Sequence, residues 1–81
     1  MKCSVLFFAA AADAVGERSL TLTVIDGATV DDVLDDLCMR YPKLESLRPT
    51  CAYAVDERVV EERTRLNDGQ TLAIIPPVSG G

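Results

Sequence analysis

Histidine and tryptophan are absent from the 81 residues, and lysine occurs only at Lys2 and Lys43. Without histidine the chain lacks the commonest general base and the commonest metal ligand. The three cysteines, Cys3, Cys38 and Cys51, are odd in number and form no CxxC. That spacing excludes a disulfide framework and a zinc ribbon. No apolar run reaches the length of a membrane span. The apolar N-terminal stretch breaks at Asp13 without a small-residue cleavage site, so the cytoplasm is the expected compartment and no membrane is expected. Eight basic residues face thirteen acidic ones, a net charge of −5. A nucleic-acid partner would need a basic face, and the arginines are scattered, with only Arg58, Arg63 and Arg65 approaching a cluster.

What remains is a chain for one domain and one modest core. Residues 2–8 read as a strand so apolar that cover on both faces is allowed. Residues 9–15 are alanine-rich and helical, and Gly16 suits the stop. Residues 19–25 alternate as a strand, with Leu20, Leu22 and Val24 opposing Thr21, Thr23 and Ile25. The strongest signal is 29–41, where Val30, Val33, Leu34, Leu37, Cys38 and Tyr41 make one helical stripe. Thr29 is the expected N-cap, and Pro42 the expected stop. Residues 43–50 read as a loop with a helical turn, and 51–55 and 58–60 as strands. Asn67-Asp68-Gly69 signals a turn, and a last strand over 70–75 ends at Pro76-Pro77. One main amphipathic helix on one face of a mixed sheet is the simplest way to bury the stripe, which makes the fold class α+β.

The chemistry is expected at the C-terminus. A core domain over 1–76 is followed by a flexible tail over 77–81, Pro77-Val78-Ser79-Gly80-Gly81. Proline stiffens the exit, and five or six extended residues reach roughly 16–20 Å. Two residues without Cβ can thread a channel that other residues would block. The Gly81 α-carboxylate would then reach another protein's active site. Adenylation by ATP makes its oxygen a leaving group, and a sulfur nucleophile leaves a thiocarboxylate. An amine would give an amide instead. Neither route asks this chain for a catalytic side chain. Taken alone, a terminal Gly-Gly is equally a frayed end.

Strand parity separates Val5 and Phe7 from Leu6 and Phe8, and Leu72 and Ile74 from Ala73 and Ile75. The long helix covers one face. Phe8, Val59 and Ile75 are therefore expected in an apolar partner-binding patch near the tail's exit. Asp31, Asp32, Asp35 and Asp36 read as a solvated helix face and match no ion loop, so no metal is expected. Cys3 and Cys38 read as buried thiols, and Arg58, Arg63 and Arg65 as surface charges.

Val5 to Ala9 (VLFFA), Gly16, Gly27 to Val30 (GATV), Ala54 to Val60 and Leu66 to Gly81 carry a resemblance over essentially the whole chain. The sequence resembles the small-subunit family of molybdopterin synthase. That resemblance implies a β-grasp, ubiquitin-like fold with a five-stranded sheet. It implies a thiocarboxylate on Gly81 that donates sulfur to cyclic pyranopterin monophosphate. No cofactor would be bound; ATP would be used by an adenylyltransferase resembling ubiquitin-activating enzyme. A large synthase subunit, in a heterotetramer, would receive the tail and carry the catalytic residues. Both partners would bind the Phe8, Val59 and Ile75 face. The chain departs from the family at Ala10-Ala11-Ala12-Asp13, where a charged Arg-Glu pair is frequent, and at Asp56, where asparagine is usual. A carrier for thiamin or cysteine synthesis, a ubiquitin-like protein tag and an inert interaction module are the alternatives.

Overall fold

The computed structural model describes residues 1–77. Five strands and three α-helices follow in the order β1 (Lys2–Phe7), α1 (Ala9–Val15), β2 (Ser19–Thr23), α2 (Val30–Arg40), α3 (Pro42–Glu45), β3 (Ala52–Val55), β4 (Arg58–Val60) and β5 (Thr71–Ile75). A 3-10 turn, Arg48–Thr50, lies between α3 and β3. The strands form one sheet in the order β2-β1-β5-β3-β4. β1 and β5 run parallel, and every other neighbouring pair is antiparallel. This is the expected α+β sheet, mixed and five-stranded.

The stripe of α2 is the centre of the core. Val30, Val33, Leu34 and Leu37 are buried to within 1% of full burial, and Cys38 nearly so. They pack on the inward set of the strands: Cys3, Val5 and Phe7 of β1, and Leu72 and Ile74 of β5. Burying a side chain of this kind contributes about 1.5–3 kcal/mol. Thr29 is the N-cap as expected. Its hydroxyl accepts from the Asp32 amide at 3.2 Å, and the Asp32 carboxylate accepts from the Thr29 amide at 2.9 Å. Two further α2 amides donate to a passing segment, Val30 to the Thr64 carbonyl and Asp31 to that of Glu62. A helix start always leaves such donors without an internal partner. Residues 61–66, which had no assignment in the sequence, supply the acceptors and add Leu66 to the core.

Several boundaries move for physical reasons. β1 stops at Phe7, because Phe8 becomes the N-cap residue of α1. Gly16 ends α1 in the left-handed region at φ 82, where its amide donates to the Ala12 carbonyl. β2 stops at Thr23, not Ile25, because the Ala28 amide donates to the Ile25 carbonyl across a turn. Pro42 ends α2 and also opens α3 at its first position, where a missing amide costs nothing. The 43–50 loop is two helical turns, and it buries Leu44. The β3–β4 hairpin turns on two residues, Asp56 and Glu57, enclosed by the Val55–Arg58 pair.

Candidate functional site

β1 can present Val5 and Phe7 inward only by presenting Leu6 outward, and the outward residues of four strands align. Leu6 sits opposite Ala73, Ala73 opposite Ala54, and Ala54 opposite Val59. This single row crosses β1, β5, β3 and β4. Its two middle members are alanines, so the row is low in the centre and high at both ends. Phe8 and Ile75 raise the wall where β1 and β5 end. The result is a groove of about 620 Å³ on the face away from α2. Its apolar members are the kind of surface that an isolated chain rarely leaves uncovered. Val59 is 79% exposed and Phe8 47%.

Phe8, Val59 and Ile75, chosen from the sequence as one patch, all line this groove. The Phe8 amide donates to the Ile74 carbonyl at 3.2 Å, which fixes Phe8 beside the end of β5. β5 then gives way to Pro76, which is buried, and Pro77, which is exposed. Chain that leaves β5 therefore starts at the wall formed by Phe8 and Ile75. Val78, Ser79, Gly80 and Gly81 lie outside the described residues.

Two features of the groove went unread in the sequence. Ala54 is part of its floor; the parity of Tyr53 and Val55, both buried, could have placed it there. The other feature is the acidic rim of Asp56 and Glu57. Both residues adopt positive φ, 48° and 70°. Two such residues in a two-residue hairpin form a type I′ turn, which asparagine and glycine fill more easily. Asp56 offsets part of that cost by joining the hairpin to β5. Its carboxylate accepts from the Thr71 amide at 3.0 Å and the Gln70 side chain at 3.2 Å. Its own amide donates to the Thr71 carbonyl at 2.9 Å. These contacts supply the structural meaning of aspartate at a position where the resemblance expects asparagine.

The acidic helix face has a structural use. Arg48 donates to Asp35 at 2.8 Å and to Asp31 at 2.9 Å, clamping the turn before β3 onto α2. Burial lowers the affinity of Arg48 for its proton, but the hydrogen bonds it donates to Asp35 and then to Asp31 outweigh that and raise the net value. The Arg48 carbonyl also accepts from the Tyr53 hydroxyl at 3.0 Å. Burial pushes the Tyr53 phenol above its ordinary range. Arg63 pairs with Glu61 in the open, as a surface charge does. Burial also raises the Cys3, Cys38 and Cys51 thiols, so each stays protonated and poorly nucleophilic at neutral pH. Cys3 and Cys38 belong to the core, and Cys51 is half-buried with its thiol on the Leu47 carbonyl. Among the described residues no helix is long and apolar enough to cross a membrane.

The chain is similar over its full length to the molybdopterin synthase sulfur carrier subunit of Chlamydomonas reinhardtii, at 36% identity with all of both chains covered. It is 33% identical to small archaeal modifier protein 3 of Haloferax volcanii, again over all of both chains. Among solved structures, the crystal structure of SAMP1 from Haloferax volcanii superposes with a TM-score of 0.88 at 30% identity, covering both chains fully. The complex of subunits 1 and 2 of molybdopterin-converting factor from Helicobacter pylori contains a chain of the same fold, with a TM-score of 0.71, 23% identity and full coverage of both. The family model for the ThiS family matches residues 5–81, so the chain belongs to the ThiS family.

Proposed function

We propose that this protein is a sulfur carrier of molybdenum cofactor biosynthesis, and that its working atom group is the carboxylate of Gly81. The observation that carries the reading is the full-length similarity to sulfur carrier subunits of molybdopterin synthase, together with a Gly-Gly end in this sequence. In the first step the Gly81 carboxylate attacks the α-phosphate of ATP; an acyl adenylate forms and pyrophosphate leaves. A persulfide supplied by the activating system then displaces AMP to give an acyl disulfide. A thiol cleaves its S–S bond, taking the donor sulfur as a disulfide and leaving the thiocarboxylate. The thiocarboxylate sulfur bonds to a carbon of the cyclic pyranopterin monophosphate as an oxygen substituent leaves that carbon. Water then cleaves the acyl–sulfur bond, so that the sulfur stays on the pterin and the Gly81 carboxylate is restored. Two such transfers build the dithiolene of molybdopterin.

The chain itself contributes presentation. The apolar groove supplies a docking surface, and its end wall stands where the chain leaves β5. A partner seated on Leu6, Phe8, Val59 and Ile75 would take the tail at a fixed distance from the dock. Two partners suit that surface: the large subunit of the synthase, which would hold the catalytic residues, and an adenylyltransferase. The protonated thiols and the absence of histidine fit a chain that delivers a reactive group and leaves proton transfer to its partner.

The test is intact mass spectrometry after incubation with ATP, a cognate activating enzyme and a sulfur donor. A mass change equal to one oxygen replaced by sulfur, mapped to Gly81, is expected. No change with a demonstrably active enzyme would refute the carrier reading. A second reading, attachment to lysines of other proteins, is favoured by the similarity to small archaeal modifier proteins. Gly-Gly remnants on lysines of other proteins would establish it.

A further inference from the structure

The two edges of the sheet are unlike. β4 is three residues long and begins with Arg58, a short charged edge of the kind that resists further pairing. β2 is longer, and from Ser19 to Ile25 it carries neither charge nor proline. Proteins usually blunt such an edge with lysine, proline or a bulge, because an unmodified one is a template for another strand.

The polarity of this edge follows from its pairing with β1. The Phe7 amide donates to the Arg18 carbonyl, and the Val24 amide donates to the Met1 carbonyl, each at 2.8 Å. The Met1 ammonium donates back to the Val24 carbonyl at 2.8 Å. Arg18 and Val24 therefore turn their backbone groups inward, and alternation turns those of Leu20 and Leu22 the same way. Ser19, Thr21 and Thr23 turn theirs outward, and all three are exposed. Ile25, 77% exposed, continues the outward set with its amide; its carbonyl already accepts from Ala28.

We propose that two copies of this chain associate by antiparallel pairing of their β2 edges about a two-fold axis at Leu22. The outward residues then meet as hydrogen-bonding pairs, Thr21 with Thr23 and Ser19 with Ile25 of the second copy, giving roughly six backbone hydrogen bonds. Leu20 and Val24, both half-buried, oppose each other in the closer non-hydrogen-bonded pairs and complete each other's burial. Charge selects a second copy as the occupant. The uncharged stretch is preceded by Arg18 and followed by Asp26. Centring on Leu22 sets Arg18 of each copy opposite Asp26 of the other. Centring on Thr21 would set Arg18 against Val24, and centring on Thr23 would set Asp26 against Leu20. Asp26 is 95% exposed and, among the described residues, its ion pair is with the Met1 ammonium at 3.4 Å, so it is accessible to a second cation. The apolar groove lies across β1, β5, β3 and β4 on the sheet face, so pairing at β2 leaves it open in both copies. This inference rests on the sheet alone and is independent of the sulfur-carrier reading.

The interface is small, so association is expected on the order of 0.1 mM. Sedimentation of the full chain up to roughly 1 mM should show the apparent mass rising from one chain towards two. Thr21→Pro removes an outward amide and spares the β1 ladder, as proline on an edge strand can. It should leave the circular dichroism spectrum intact and hold the chain monomeric. Arg18→Glu and Asp26→Arg should each weaken association about tenfold, since each turns two attractions into two repulsions. The double variant restores opposite charges and should recover to within about threefold of the parent. Monomer behaviour at the highest concentration would overturn the proposal and leave the edge to a strand of a different protein. A dimer indifferent to Thr21→Pro, or a double variant no stronger than the singles, would overturn it equally.

Discussion

Val59→Lys separates docking from folding at the groove. Val59 lies on the edge strand β4 and keeps 79% of its surface exposed, so folding uses about a fifth of what a fully buried valine contributes. At about 1.5–3 kcal/mol for the whole side chain, the stability at risk is about 0.5 kcal/mol. For a domain of this size that lowers the melting temperature by roughly 2–4 °C. Docking has far more to lose. An apolar partner surface would cover the remaining four-fifths of the valine, and a lysine there must shed the water from its ammonium. A loss of 1.4 kcal/mol is tenfold in affinity, and the expected weakening is tenfold or more. Titration calorimetry against the large subunit of molybdopterin synthase reads the affinity, and thermal unfolding reads the stability. Phe8→Lys should behave alike, with a larger stability cost because Phe8 is only 47% exposed. Ile75→Lys is a poorer probe, since Ile75 is half-buried on the interior strand β5. Unchanged affinity of Val59→Lys would refute the groove as a dock. A fall in melting temperature beyond about 8 °C would show that Val59 belongs to the core.

Other outcomes follow from particular contacts. Glu57→Gly should stabilise the chain by about 1 kcal/mol in urea unfolding, because glycine takes the positive φ of Glu57 without a Cβ clash. An unchanged midpoint would contradict a type I′ turn there. Thr29→Ala should cost about 1 kcal/mol, as the capping box of α2 loses its hydroxyl acceptor, and Thr29→Ser should recover most of it. Stability should be level at neutral pH and fall as pH rises above about 9, the ordinary thiol value. The three thiols and Tyr53 have raised folded values, so the unfolded chain ionises first and is favoured by added base. A melting temperature independent of pH from 8 to 11 would refute their burial.

Local patterns were legible because they depend on near neighbours in the chain. The α2 stripe, the Thr29 cap and the Gly16 stop each follow from spacing or from one residue's conformational freedom. Strand parity also travelled far: it separated Leu6 and Phe8 from Val5 and Phe7 before any pairing was known. Arg48 shows the limit. In the sequence it is one of several scattered arginines, and only the fold brings it within hydrogen-bonding distance of Asp31 and Asp35. Residues 61–66 are similar, since their carbonyls matter only beside the start of α2.

By itself the sequence determined which side chains must be hidden and where the main helix starts and stops, and it offered the glycine end as the candidate for chemistry. The first two are set by period and by caps, which are local properties of the chain. The tertiary structure alone decided that Leu6, Ala73, Ala54 and Val59 form one row. Register between strands distant in the chain is fixed by the collective burial of their inward faces, and no local pattern encodes it. It also decided that β2 rather than β4 is the long uncharged edge, because sheet order is a property of the whole packed chain.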